Sequence, residues 1–569
     1  MIINLETGKQ LKIASILDKF GDEWIKHECQ LIPLPIINWK TIIENNGTDL
    51  LLVQSAWQGN NGTWKYRITN LQSRPNDLAL RNIVKWCKKH EIPTAFWNIE
   101  DPYHFETFLE AARQFDYIFT TDINSIPRYI SLLGHNNVFL LPFGVQPRLH
   151  NPINKDKEKF SPIGFSGTWH RNGHEARKQD MKIILEPALK YGVHIYDRMY
   201  HYHKDNNYQF PDIYQPFIRG TVPYEETGSI YKKYNVFLNV NTVQDSPTMF
   251  SCRVFEVLGC GINVVSGYAL GIEKMLPEIV RLSKNQNDTI RNLEILMHNK
   301  ELRDRLSVKG VREVLNNHTY NQRLKSVLDR IGIRYMDNTC KGVTCIVSTN
   351  RQKFIDNVFD NYMRQTYEDK ELVVVLNKND MDMERWLEKA RNNPSITIYH
   401  IDENQTLGAC LNFAISKARY DTISKMDDDD YYGPNYLLDL MNTFQYTKAD
   451  IVGKHAYYIY FEESKAFALK FKDYENCYVN LIAGATLTFK KSVFSKIQFS
   501  TDRKAGCDSK FLIDCKQHGF KIYSSDRFNF CVCRRADIKD HTYQIDEEEY
   551  LRKCQLIGYV EDFQTHVDI

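Results

Sequence analysis

The chain has 569 residues, with 73 Lys and Arg against 71 Asp and Glu, a formal net charge of +2. That length exceeds one ordinary domain, and 43% hydrophobic with 12% aromatic residues excludes a disordered or collagenous chain. The charge balance argues against a dedicated nucleic-acid binder, whose basic face would bias the total.

Residues 1–17 lack the basic stretch and apolar run of a signal peptide, and no run of about 18 apolar residues follows, so no membrane span is expected. The 13 cysteines show no framework of close pairs, which fits reduced thiols and a cytoplasmic location. In that setting the sequons at Asn46, Asn61, Asn287 and Asn317 carry no meaning.

Strand-like runs alternate with helical patterns throughout, an α/β signature. The first runs are 49–54, 93–98, 117–121 and 138–143, with a helix over 77–90 that sets Leu80, Ile83, Val84 and Cys87 on one face. They suggest a doubly wound unit over residues 1–155. A polar stretch, 151–159, reads as a linker. A second α/β unit, 160–335, opens on Ile163-Gly-Phe-Ser-Gly167 and continues through runs at 236–240 and 262–266 to a charged helical stretch near 290–330. Within it a helix begins near Ser251, and Glu256 stands out in an otherwise apolar run (Val254, Phe255, Val257, Leu258). A helix N-terminus after a strand of a doubly wound sheet is a natural seat for phosphates.

A third unit, 342–569, opens on the strand 343–348. Its strongest signal is Ile423-Ser-Lys-Met-Asp427-Asp428-Asp429-Asp430-Tyr431. Four adjacent carboxylates repel one another unless a cation neutralises them, and hard oxygen ligands suit Mg2+ or Mn2+. A solvated acidic turn is the other reading of such a run. Asp508 reads either as a helix N-cap or as a general base. Cys531 and Cys533 read as a strand with one thiol on each face.

Residues 343 to about 535 resemble glycosyltransferase family 2, of GT-A fold. The resemblance rests on the opening strand, the helix from Phe354 with Gln365-Thr-Tyr, the strand 371–376 ending at Asn377, Asn404-Gln-Thr-Leu-Gly-Ala-Cys-Leu-Asn412, the aspartate run, Ala483-Gly484-Ala, and Gly506-Cys507-Asp508. It implies a nucleotide contact at Asn377, where the family often has aspartate, and a place beside the donor for Asn412. Asp427 and Asp429 correspond to the D-x-D motif, with Asp428 as a substitute, and Asp427 also faces the donor. Ala483–Phe489 is the small-residue strand lining the acceptor side. Asp508 becomes the catalytic base, with Cys507 in place of the family's first acid, and His541 completes the metal shell.

The first 335 residues resemble GT-B enzymes of the spore-maturation CgeB-like group. Ser55-Ala-Trp57, Trp97-Asn-Ile-Glu100-Asp101-Pro102, Leu141-Pro-Phe-Gly144, Gly164-Phe-Ser166-Gly167-Thr-Trp169 and 237–261 carry the likeness. Here Gly167 belongs to the glycine loop, Glu256 takes the ribose-binding role and Arg253 approaches the diphosphate. The second glutamate of many retaining GT-B enzymes falls at Thr248. His170 and Arg171 are candidates for phosphate contact, Gly59-Asn-Asn-Gly62 for the acceptor, and Glu100 and Asp101 for acid/base work.

The resemblances imply two Rossmann-like halves followed by a GT-A domain, a hexosyltransferase-class enzyme, a UDP-sugar donor with Mn2+ or Mg2+, and a glycan or protein acceptor. A homo-oligomer is compatible with them. They leave two arrangements open: two active sites, or an active C-terminal domain with the GT-B part as a binding platform.

Overall fold

The computed structural model describes residues 2–74, 77–202, 207–337, 342–502, 506–537 and 545–569. The chain divides into two compact units, Met1–Asn338 and Thr339–Ile569.

The first unit carries two parallel sheets. One has the spatial order Gln30–Pro33, Lys12–Ile16, Leu50–Gln54, Thr94–Asn98, Tyr117–Thr120, Val138–Leu140. The strand Leu50–Gln54 is buried at every position because helices cover both faces, so its run reads as continuously apolar. The helix expected over 77–90 spans Ala79–Lys89 and buries Leu80, Ile83, Val84 and Cys87. Each full burial of such a large apolar side chain is worth about 1.5–3 kcal/mol.

The second sheet orders Arg281–Ser283, Asn263–Gly267, Val236–Asn239, Ile163–Gly167 and His194–Asp197, again all parallel. Chain order reverses between Ile163–Gly167 and Val236–Asn239. That switch point opens a crevice at the carboxyl ends of the strands, where doubly wound sheets bind ligands. The helix Tyr320–Ile331 returns to the first half behind a capping box at Thr319. There Tyr320 stacks on Trp24 with ring centroids 4.8 Å apart, and Asn321 donates to Glu28 at 2.7 Å.

The polar stretch 151–159 is partly packed and partly exposed. Asn151 and Lys155 are buried, and Lys159 Nζ donates to the carbonyls of Lys155, Lys232 and Tyr234 at 2.8, 3.1 and 3.0 Å. Long lysine stems pack while their ammonium groups find carbonyl partners, so this polar stretch is pinned at Lys155 and Lys159 while Asn154, Asp156, Lys157 and Glu158 stay exposed.

The second unit holds an eight-stranded sheet in the order Ile396–His400, Lys370–Leu376, Val343–Thr349, Thr422–Lys425, Thr488–Lys490, Ile451–Gly453, Ile522–Ser524, Cys477–Val479. The first four strands are parallel and the pairing turns antiparallel at Thr488–Lys490. A five-stranded sheet, Tyr431–Tyr432, Phe530–Arg534, Tyr457–Phe461, Ala466–Lys470 and Gln555–Tyr559, lies after the aspartate run. Two expectations fail here. Gly484–Thr486 is a 3-10 turn, and the strand begins only at Thr488. Cys531 and Cys533 lie on one face of Phe530–Arg534, both buried with Val532 opposite, because strand side chains alternate with period two. Among the described residues every cysteine is free, and no helix is long and apolar enough to cross a membrane.

Candidate active site and a cationic crevice

The central strand Thr422–Lys425 delivers the aspartate run to the carboxyl end of the parallel strands. The helix Ile355–Met363 braces it. Asn357 donates to the carbonyls of Asp428 and Asp430 at 2.7 and 3.0 Å, and Asn361 reaches Asp430 O at 2.9 Å. One helical turn apart, these two amides share a face. Tyr432 closes the turn, accepting from Asp427 N and donating to Ala485 O, both at 2.7 Å.

The four carboxylates face different surroundings. Asp428 and Asp430 are buried, whereas the side chains of Asp427 and Asp429 are 37% and 16% exposed. Asp428 is clamped by Arg351 and Thr349, and Arg351 Nη1 also donates to Asp429 Oδ2 at 3.0 Å. Burial raises the Asp428 carboxyl above its ordinary range, and Arg351 opposes the shift. Burial likewise pushes Asp430 well up, reinforced by Asp429 and Asp427, and its Oδ1 accepts from Cys533 N at 3.2 Å. Asp428 is thus tied to Arg351 and Thr349 in the structure.

Two cations supplied by the chain answer the repulsion that the sequence raised. Arg351 serves Asp428 and Asp429. Lys425 contacts Asp427 Oδ1 and lies 3.2 Å from Asp508 Oδ2. Burial opposes the Lys425 charge, but Asp427 and Asp508 outweigh it and hold the ammonium well above its ordinary range. Asp508 is raised by burial and by Asp427, with Lys425 acting against both. The helix Cys507–Gln517 has Gly506 as its N-cap, so Asp508 is not the cap. It sits so close to the turn at Gly484 that a Cβ there would fall 2.5 Å from Asp508 Oδ2.

Among the described residues no group of three or more His, Cys, Asp or Glu side chains is arranged to hold a metal ion. His541 lies outside the described residues. The donor set still fits Mg2+ or Mn2+, which bind through one or two carboxylates plus substrate phosphate. Lys425 and Arg351 each take one oxygen, Asp427 Oδ1 and Asp429 Oδ2. No described residue bonds the other oxygen of either carboxylate.

Asn377 stands just past the strand Lys370–Leu376, half-buried, its amide donating to Asp402 O at 2.9 Å. Asn412 faces another way. It donates to Phe499 O at 2.9 Å and accepts from Phe499 N at 3.0 Å, a clasp that consumes its amide. As folded it ties the helix Leu407–Ser416 to residues 499–500 rather than offering itself to a donor.

In the first unit the switch point is lined by arginines. Arg253 donates to Ser166 Oγ and Asn239 Oδ1, both at 3.2 Å, and so bridges the two strands that flank the crevice. Gly167 ends one of them and accepts from Arg198 N at 3.1 Å. Burial lowers Arg177 to about 10, helped by Arg253 and Arg198, while Arg198 is exposed. Among the described residues none of the three forms an ion pair with a carboxylate. His170 is held down to about 4 by burial and by His174, Arg177 and Arg198. Arg171 is exposed and its backbone N–H donates to Asn207 O at 2.7 Å.

Glu256 does not face this crevice as a free acid. It is 2% exposed, and Tyr224 and Tyr231 donate to its two oxygens at 2.6 and 2.9 Å. Two tyrosines thus each donate to one oxygen of the carboxylate that the sequence marked as out of place. Thr248 bonds the other half, donating to Thr121 O at 2.9 Å and accepting from Ile123 N at 3.0 Å. Asp101 is fully buried, bonded by Asn98, Thr120 and Tyr129, and burial raises it to about 7. Glu100 is half-buried, raised by burial, hydrogen-bonded by Trp57 and attracted by Arg198. In the 59–62 turn, Asn60 Nδ2 donates to Ser15 O and Leu34 O, each at 2.9 Å, a structural clasp.

Sequence reasoning missed Lys425, Arg351, Arg177 and Arg198. A lysine ending an apolar strand two residues before the run was the one local signal.

A doubly wound pair of sheets with a cationic switch point is joined in one chain to a mixed sheet that presents an aspartate run. Residues 177–329 match the family described as Glycosyl transferase-like, and residues 344–506 match Glycosyl transferase family 2. These matches support a GT-B-like glycosyltransferase domain in the first unit and a family 2 glycosyltransferase domain in the second. The O-antigen biosynthesis glycosyltransferase WbnJ of Escherichia coli is 28% identical over 168 residues, 27% of this chain and 63% of that protein. Spore protein CgeB of Bacillus subtilis (strain 168) is 22% identical over 190 residues, 32% of this chain and 59% of that protein. The chain spans about three-fifths of the length of these relatives. A solved structure of S. aureus TarS 1-349 in complex with UDP-GlcNAc is 16% identical with a TM-score of 0.31, covering 37% of this chain and 64% of that one.

Proposed function

We propose that the C-terminal unit transfers a sugar, with inversion, from a nucleotide-diphosphate sugar, most simply a UDP-sugar, to a hydroxyl of a glycan or protein acceptor. The observation that carries this is the convergence of Asp508 and Asp427 on one buried lysine at the carboxyl end of the parallel strands. Asp508 accepts the proton of the acceptor hydroxyl, whose oxygen forms the new bond to the anomeric carbon. The bond from that carbon to the diphosphate oxygen breaks, and the nucleoside diphosphate leaves with its electron pair. Asp427 and Asp429 would hold Mg2+ or Mn2+, which when bound supplies positive charge for the leaving diphosphate. Raised by burial, Asp508 is a stronger base than an exposed aspartate.

For the GT-B module the arginine crevice favours binding of a nucleotide diphosphate at Arg177, Arg198 and Arg253. Its closed Glu256 and the threonine at 248 favour a binding platform over a second catalytic centre. The test is nucleoside diphosphate release from a panel of nucleotide sugars, with Mn2+ or EDTA, in wild type, Asp429→Ala and Glu256→Ala. Release that requires metal and vanishes in Asp429→Ala supports this reading. A second donor whose turnover persists in EDTA and vanishes in Glu256→Ala would make the first unit an enzyme too. No release from any donor would sink the proposal.

A further inference from the structure

Lys425 is the last residue of the strand Thr422–Lys425, and its side chain is only 3% exposed. Its ammonium has three N–H donors and three acceptors around it. These are Asp427 Oδ1, Asp508 Oδ2 at 3.2 Å and Gly484 O at 3.3 Å. With every donor used, the group has one position, and that position joins two carboxylates to which the proposed reaction gives different tasks. An isolated charge is not kept in such a place cheaply, because desolvating it costs several kcal/mol even after relaxation.

We propose that Lys425 is a positioning residue of the C-terminal site. It fixes the direction of Asp508 toward the acceptor hydroxyl, and it shares its charge with Asp427, where it competes with a divalent cation. This inference rests on the assignment of Asp508 as base and of Asp427 as a metal ligand. The Lys425 side chain is only 3% exposed. It acts through the two aspartates, so its loss strikes turnover more than donor binding.

The experiment uses the full chain with Lys425→Met, assayed for donor turnover and, separately, for Mn2+ binding by the electron paramagnetic resonance of free Mn2+. The expected result is a fall in kcat of at least thirtyfold with donor KM within threefold of wild type. Mn2+ affinity should rise by about tenfold, because Asp427 loses its competing ammonium. A merely structural lysine would not tighten metal binding. The second variant is Gly484→Ala, whose Cβ would press on Asp508 from 2.5 Å and move it off Lys425. It should lose kcat similarly with Mn2+ affinity unchanged. Folded Lys425→Met with wild-type kcat overturns the proposal, as does a kcat loss without tighter Mn2+ binding. Should Lys425→Met not fold, wild-type kcat in Gly484→Ala overturns it equally. Wild type that releases no nucleoside diphosphate from any donor defeats the transfer reading and this inference together. Active wild type with unaffected variants defeats the inference alone.

Discussion

Replacing Arg351 by alanine tests the claim that the chain neutralises its own aspartate run. Arg351 is 26% exposed, and its partners Asp428 and Asp429 are 5% and 16% exposed, so the cluster is largely shielded from water. Breaking a buried pair by removing one partner costs about 3–5 kcal/mol, and the partial exposure of Arg351 points to the lower end, about 3 kcal/mol. At 1.4 kcal/mol per tenfold, amide exchange limited by opening of the second unit should speed up roughly a hundredfold. Hydrogen exchange read on peptides covering residues 343–376 measures this directly. The pH dependence has a definite sign. Burial raises the Asp428 carboxyl and Arg351 opposes it, so removing Arg351 raises the folded-state value further. A carboxyl raised in the folded state binds protons more tightly there than when unfolded, so the variant recovers stability as pH falls. The deficit should therefore be larger at higher pH and shrink as pH falls. A change below about 1 kcal/mol, or a deficit that does not depend on pH, refutes the reasoning.

Three further outcomes are expected. Gly408→Ala places a Cβ 2.0 Å from Ser500 O, so despite alanine's better helix propensity it should destabilise the second unit by about 1–3 kcal/mol in urea unfolding. Tyr231→Phe removes a donor 2.9 Å from the buried Glu256 and should cost the first unit about 1–3 kcal/mol by the same method. Asp101, raised to about 7, keeps its proton in the native state across a range where the unfolded chain has lost it. The first unit should lose stability as pH rises from the ordinary carboxylate range to about 7, and Asp101→Asn should flatten that slope in thermal unfolding.

The fold was legible where burial is two-sided. Strands such as Leu50–Gln54, buried at every position, and Ile163–Gly167, buried at all but Ser166, announce themselves as short apolar runs. The site was legible as far as one stretch of chain can carry it: Asp427 and Asp508 both stand out in the sequence, and in the structure they converge, 81 residues apart, on Lys425. Partners brought from other elements left no local trace. Arg351 reaches Asp428 across 77 residues, and Tyr224 and Tyr231 close over Glu256 from a separate turn and helix. Asn412 occupied its expected helix, yet pairing with Phe499 decides what its amide does. The two-cysteine strand was misread through its period, since residues two apart share a face.

The most direct test of the account is steady-state turnover of the accepted nucleotide sugar by wild type and Asp508→Asn, with nucleoside diphosphate affinity measured alongside. The account expects kcat to fall at least a hundredfold in the variant, because the amide cannot take the acceptor's proton, while affinity changes less than threefold. Wild-type turnover in folded Asp508→Asn would contradict it.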